Sequence, residues 1–233
     1  MAGIRINWYD LEPAQRDGYL SWLHERYLPA LLKRPGIEWA AHYRAEQRKV
    51  PARLTNTGDS GVPGGGDYIL LVGASSANAF AAPHPQETIA PVTENDAGML
   101  TQRRNERTSI MVEQARVNGP EAAKHPGLAP CIQLGSFNAT PEDEDALLSW
   151  YARWRMPCMA KLPGNVRTRK LAGIVGWSKH GVLYEFTSLE ARDKYFPVHE
   201  KPYPALEAWT DKVVRRLLHA PRSPQIAQRI WPA

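Results

Sequence analysis

Histidine and tyrosine fall together in Tyr195-Phe-Pro-Val-His-Glu-Lys-Pro-Tyr203. An imidazole titrates near neutral pH, so His199 can take and return a proton under ordinary conditions. Tyr195 and Tyr203 can each offer a phenol O–H to a carbonyl or enol oxygen. Pro197 and Pro202 interrupt any helix through the stretch, and a helix break beside a cavity is a good seat for a reactive side chain. The pattern points to proton abstraction next to a carbonyl, with His199 as the base and Tyr195 or Tyr203 as oxyanion donor. The competing reading is a surface histidine in a proline-rich turn.

A second group surrounds the first helix. His24 and Tyr27 stand one helical turn apart, and His42 and Tyr43 follow on the next strand, so the four can line a substrate pocket between helix and sheet. Arg5, Asn7, Arg167, Arg169 and Glu185 occupy polar strand positions. Turned inward they form a charged lining that orients an anionic substrate; turned outward they are ordinary solvated alternation. The pairs His24-Glu25 and His199-Glu200 lack the helical His-x3-His spacing of a zinc protease, so no metal is expected. No Gly-x-Ser-x-Gly elbow marks a serine hydrolase. The glycine-rich run 58–66 lacks the Gly-Lys-Ser/Thr of a phosphate-binding loop and reads as a surface connection.

With 233 residues, 43% hydrophobic and 23% charged, the chain is long enough for one large domain or two small ones and has the composition of a packed globule. The net charge of +5 is spread among 24 acidic residues. Arg103-Arg104-Arg107 and Arg167-Arg169-Lys170 are short groups with few aromatics between them, so a solvated surface is expected rather than a nucleic-acid partner. Two cysteines, Cys131 and Cys158, make no disulfide framework. No hydrophobic leader and no run of eighteen apolar residues occurs; a cytoplasmic protein without a membrane partner is expected.

The elements that must position these residues repeat. At a constant offset of 128, Leu20, Ser21, Trp22, Pro29, Lys33, Pro35 and Gly36 recur as Leu148, Ser149, Trp150, Pro157, Lys161, Pro163 and Gly164. Ile4 and Pro13 recur as Ile132 and Pro141 in the same register. Internal self-similarity of this kind marks a duplicated structural unit. Each half reads strand, helix, strand, strand, helix, strand. Ile4–Trp8 alternates with period two; a helix from Pro13 to Lys33 stops at Pro35-Gly36; strands follow near Ile37–Arg44, Tyr68–Val72 and Ser109–Val117. In the second half Thr140-Pro141-Glu142-Asp143 opens a helix, strands lie near Val166–Leu171 and Val182–Phe186, Thr187-Ser-Leu-Glu190 is a capping-box pattern, an amphipathic helix carries Tyr203, Leu206, Trp209, Val213 and Leu217, and Gln225–Trp231 closes as a strand. Residues 83–91 and 118–130 are loop-rich. Trp22, Trp150, Trp154 and Trp209 sit at core spacing on helices. A four-stranded sheet with helices on one face leaves its other face apolar and wet, so two halves are expected to bury these faces together. The expected fold class is α+β: two tandem ferredoxin-like repeats, residues 1–118 and 130–233 with a linker at 119–129, their antiparallel sheets packed face to face as one intrachain α/β barrel.

The spacing Trp22-x4-Tyr27-x-Pro29-x5-Pro35-Gly36, with the later Tyr184-Glu-Phe-Thr-Ser-Leu-Glu-Ala191, resembles the dimeric α+β barrel superfamily and is most similar to its EthD-like branch. That branch commonly has histidine where Tyr27 stands here and Arg155 in the second half, so the role of that histidine does not transfer. The resemblance implies a cofactor-free pocket for small, aromatic or polyketide-like molecules, and relatives that act as isomerases, cyclases, lyases or oxygenases. The leading expectation is a cofactor-independent lyase or isomerase acting on a small-molecule substrate. Two alternatives stand beside it, a non-catalytic small-molecule binding protein and a haem-binding barrel protein. Whether the chain is an enzyme, and whether it forms a homodimer, are left open by the residues.

Overall fold

The computed structural model describes residues 2–47, 61–80 and 94–232. The first half contains β1 (Gly3–Asp10), α1 (Arg16–Trp22), a π-helical turn (Leu23–Tyr27), α2 (Leu28–Leu31), β2 (Ile37–Ala45), β3 (Tyr68–Ala74), α3 (Glu94–Leu100) and β4 (Arg104–Asn118). The second contains β5 (Cys131–Asn138), α4 (Pro141–Trp150), a π-helical turn (Tyr151–Arg155), α5 (Met156–Met159), β6 (Asn165–Val175), β7 (His180–Phe186), α6 (Leu189–Tyr195), α7 (Pro204–Val214), β8 (Leu218–His219) and β9 (Gln225–Trp231). The loop-rich segment 83–91 and residues 58–60 of the glycine-rich run lie outside the described residues.

The offset of 128 read from the sequence relates both ends of β1 to those of β5, both π-turns, and the starts of β2 and β6. The π-turns have a local cause. Pro29 and Pro157 stand just inside α2 and α5, where a proline in a continuous α-helix would lack its N–H and strike the carbonyl four residues back. Widening the preceding turn to five-residue hydrogen bonds, Leu28 N–H to Leu23 O and Met156 N–H to Tyr151 O, carries the helix past the ring without a break. Each helix ends before Gly36 or Gly164, whose φ of +81° and +77° is the left-handed conformation that glycine adopts without penalty.

The first half pairs in the order β4-β1-β3-β2 and the second in the order β9-β5-β7-β6, the 4-1-3-2 order of a ferredoxin-like unit. The two sheets face each other across a common interior, as expected. Their edges are also joined, which closes the expected barrel: β2 pairs with β9 and β4 with β6. The ring of eight antiparallel strands therefore closes, with β8 added beside β5.

Strand alternation then sorts the side chains. Ile4, Ile6, Ile69, Leu71, Met111, Ile132, Leu134, Leu171 and Leu183 pack inside the barrel. Outside it, one apolar layer joins the first sheet to its helices around Tyr19, Trp22, Leu23 and Leu28, and a second joins the other sheet to its helices around Leu147, Trp150, Met159 and Phe186. Trp22 and Trp150 occupy equivalent places between helix and sheet. Two local expectations are corrected. Ser188, not Thr187, is the N-cap of α6, accepting the Ala191 N–H at 3.0 Å, because Thr187, just past the end of β7, is held by its N–H to Gly164 O. Thr140 caps α4 by position only, its hydroxyl turned to Asp143.

Candidate functional site

The residues singled out in the sequence fall in three places. In the second half, His199, Tyr195 and Tyr203 line one groove of about 540 Å³ together with Trp154, Cys158 and Lys161. The short helical turn Phe196–Val198 and the proline-bounded loop before α7 bring them there. His199, however, has both ring nitrogens engaged. Nη1 of Arg155 lies 2.6 Å from Nε2; arginine can only donate, so Nε2 accepts, and Nδ1–H is directed to the carbonyl of Phe196. The lone pair that was to abstract a proton is committed. Arg155 is in turn fixed by a buried ion pair with Glu200 at 2.6 Å, and Glu200 accepts from Thr210 at 3.0 Å. A haem iron ligated by His199 would need that same Nε2, so His199 in this arrangement does not fit haem ligation.

Tyr43, Arg167 and Arg169 lie inside the barrel. Arg169 and Arg167 both pair with Glu185, at 2.8 Å and 2.9 Å, and the Tyr43 hydroxyl donates to Ala129 O at 3.0 Å. Of the strand residues anticipated as a charged lining, Arg167, Arg169 and Glu185 face this interior and pair with one another. Burial raises the Glu185 pKa, and Arg169 and Arg167 oppose that rise.

The first half holds the third place, between the sheet and the first helix. His42 is fully buried and central: its Nε2 is 2.8 Å from the Tyr9 hydroxyl and its Nδ1 is 2.8 Å from Nε2 of His24. Burial, with His24 and Arg103 nearby, holds the His42 pKa well below its usual value. Burial lowers that of His24 as well, against a smaller opposing effect of Glu25. Both rings are therefore neutral at neutral pH. The Arg103 guanidinium lies 4.6 Å from the centroid of the Tyr9 ring and its Nε donates to the Tyr19 hydroxyl at 2.5 Å. Burial pulls the Arg103 pKa down, but Tyr19, Tyr9 and Glu106 more than offset it, so the group stays charged.

From Arg103 the network opens into a cavity of about 160 Å³ lined by Arg5, Asn7, Tyr27, Arg34, Glu106 and Thr108 among others. Arg103 Nη1 and Asn7 Nδ2 both donate to Oε1 of Glu106, each at 2.8 Å, which leaves Oε2 outside these bonds. Asn7 also reaches Thr108 Oγ1 at 2.8 Å. The side chain of Arg103 is only 5% exposed, yet its Nη2 has no hydrogen-bond partner. One compact space thus holds an anchored carboxylate and a buried guanidinium with a spare N–H. Tyr27 is on its wall, whereas His24 and His42 are outside its lining and tie down the Tyr9 ring beneath Arg103. Glu106 and Arg103 were not singled out in the sequence, where they sit in a short basic run. The signal available was the period-two alternation of β4, which sends 106 and 108 to one face and 107 and 109 to the other.

No protein-family model matches the sequence, and no curated protein matches it. Solved structures do match in shape. A monooxygenase-like protein of Fusobacterium nucleatum superposes with a TM-score of 0.61 at 9% identity over 98% of this chain and 91% of its own. An anthrone oxidase-like protein gives 0.60 at 12% identity over 98% and 91%. A variant chlorite dismutase from Candidatus Nitrospira defluvii gives 0.52 at 10% identity over 98% and 91%. At these identities the likeness is one of fold alone, an α+β barrel.

Proposed function

We propose that the chain is a small-molecule enzyme that removes a proton next to a carbonyl of a small anionic substrate, with Glu106 as base and Arg103 as oxyanion donor. One observation carries this reading: Glu106 and Arg103 line one cavity, and Nη2 of that buried guanidinium has no hydrogen-bond partner. A carboxylate anchored through one oxygen keeps the other for the substrate proton. A buried, permanently charged N–H donor stabilises the enolate oxygen where charge develops, and it is already in place before reaction. Arg5 and Arg34 on the same walls attract an anion and balance its charge. The volume of about 160 Å³ is that of a cavity able to hold one benzene-sized ring, so the substrate is a compact acid, smaller than the polyketide-like molecules implied by the resemblance. Return of the proton to a different carbon makes the outcome an isomerisation, and expulsion of a β-substituent from the enolate makes it a lyase reaction; neither step calls for a cofactor.

Further support for the enzyme class comes from the solved structures of like fold, described as oxidase-like, monooxygenase-like and chlorite-dismuting proteins; none of them selects this reaction. Membership of the EthD-like branch is part of the same proposal and rests on the Trp22-to-Gly36 spacing. In this scheme His24, His42 and Tyr9 are positioning residues. The His199–Tyr195–Tyr203 groove is a place for an apolar ligand, and His199 is not the base.

Isothermal titration with oxalate, a planar mimic of a 2-oxo acid enolate, tests the site. Binding at one oxalate per chain, weakened at least tenfold by Arg103→Met and unchanged by His199→Ala, is the expected result. Absence of binding to the wild type, or binding insensitive to Arg103→Met, would count against it.

A further inference from the structure

The barrel interior holds a cation that this scheme does not use. Arg107 on β4 is 7% exposed, and its guanidinium carbon lies over the Trp8 ring, 4.0 Å from the centroid. Nη1 donates to Ser136 Oγ at 3.1 Å. Nε and Nη2 have no partner, and neither has the indole Nε1 of Trp8 beneath them. The other buried arginines described above are each held by a carboxylate: Arg103 by Glu106, Arg155 by Glu200 and Arg169 by Glu185. Arg107 has instead a second guanidinium, Arg222, acting on it, and Arg222 is already satisfied by Asp67 at 2.8 Å and Asp10 at 3.3 Å. Burial and Arg222 together pull the Arg107 pKa down to about 9. A buried charge without a counterion is a costly arrangement that proteins normally relieve by pairing.

The identity of the two open nitrogens is informative. Nε–H and Nη2–H form one edge of the guanidinium, with parallel N–H bonds spaced to meet two oxygens of a single oxyanion. We infer that the Trp8–Arg107 end of the barrel interior is an anion site, taking a carboxylate or phosphate group edge-on against Arg107 with Trp8 Nε1 as a further donor. The site is distinct from the Glu106 cavity, because alternation along β4 turns Arg107 inward while Glu106 and Thr108 face the helices, and the inference does not rest on the proposed reaction.

Thermal unfolding of the full chain in sodium acetate, and separately in inorganic phosphate at matched ionic strength, reads the site. The melting temperature should rise saturably with at least one of them. A response to acetate alone assigns a carboxylate ligand, a response to phosphate alone a phosphate. Arg107→Met should abolish the rise and, without anion, melt no lower than the wild type. Arg107→Lys, which keeps charge but loses the two-pronged edge, should require at least tenfold more anion. No saturable rise in the wild type would mean that water alone satisfies Arg107, and a rise that survives Arg107→Met would place the anion elsewhere; either overturns the inference.

Discussion

A carboxylate 2.8 Å from a guanidinium neutralises it in the resting cavity, so the positive charge that draws a substrate in must come from Arg5 and Arg34. This division of labour makes separate predictions. Glu106→Gln should lower turnover by about 10²–10⁴-fold with little loss of substrate binding, while Arg34→Ala should mainly raise KM; steady-state kinetics separates the two. Protonation also limits stability. Burial holds His42 well below 6.5, and His180 and His219 at about 4. For a base whose folded pKa is depressed, the unfolded chain binds protons first as pH falls through 6.5, so stability is full above that value and declines from about pH 6.5 towards pH 4. Unfolding free energy should drop by a few kcal/mol, at roughly 1.4 kcal/mol per unit of pKa difference for each ring; a flat profile by denaturant titration between pH 7 and 5 would contradict this. What could be read in advance follows contact distance along the chain. Tyr195, His199 and Tyr203 are close in sequence and do share a groove, but the Arg155 that occupies His199 comes from 44 residues away, and nothing in local patterning signals such a partner.

Helices and strands were legible because each is written in local spacing. Pro29 with Pro157 and Gly36 with Gly164 repeat at one offset, and the two helices they shape bend and stop in the same way. The glycines differ in what surrounds them. A Cβ on Gly164 would come within 2.8 Å of the Ala191 Cβ, whereas on Gly36 the nearest atom, Ala79 Cβ, is at 3.1 Å. Both substitutions force an alanine into positive φ, at a cost of about 1–3 kcal/mol, and Gly164→Ala should be the more destabilising of the pair by chemical denaturation. Equal effects would show that α6 yields freely. The histidines of the first half were not repeated: His24 on the π-turn aligns with Ala152 and His42 on β2 with Lys170, so the Tyr9–His42–His24 arrangement belongs to the first half alone. We place the boundary between the halves at residues 119–129, between β4 and β5.

Closure of the barrel through β2–β9 and β4–β6 means that neither sheet is complete alone. The edge pairing was hidden from the sequence because alternation fixes which face is buried but not which edge meets which. Cooperative unfolding should follow, with far-ultraviolet circular dichroism and tryptophan fluorescence reporting one transition. Trp150→Ala, which empties a fully packed site in the second helix layer, should destabilise the whole molecule by about 3–5 kcal/mol and should lower the stability reported from the first half equally. Two separated transitions would show that the halves fold independently. At this scale the chain also has no described helix long and apolar enough to cross a membrane. The most direct test of the central claim asks whether the molecule removes a carbon-bound proton at all. Proton NMR in D₂O with a panel of compact 2-oxo and 3-oxo acids should show at least one whose α-proton exchanges faster with the wild type and with His199→Ala, and whose exchange falls about 10²–10⁴-fold with Glu106→Gln. Exchange that persists undiminished in Glu106→Gln, or that is lost only in His199→Ala, would contradict it.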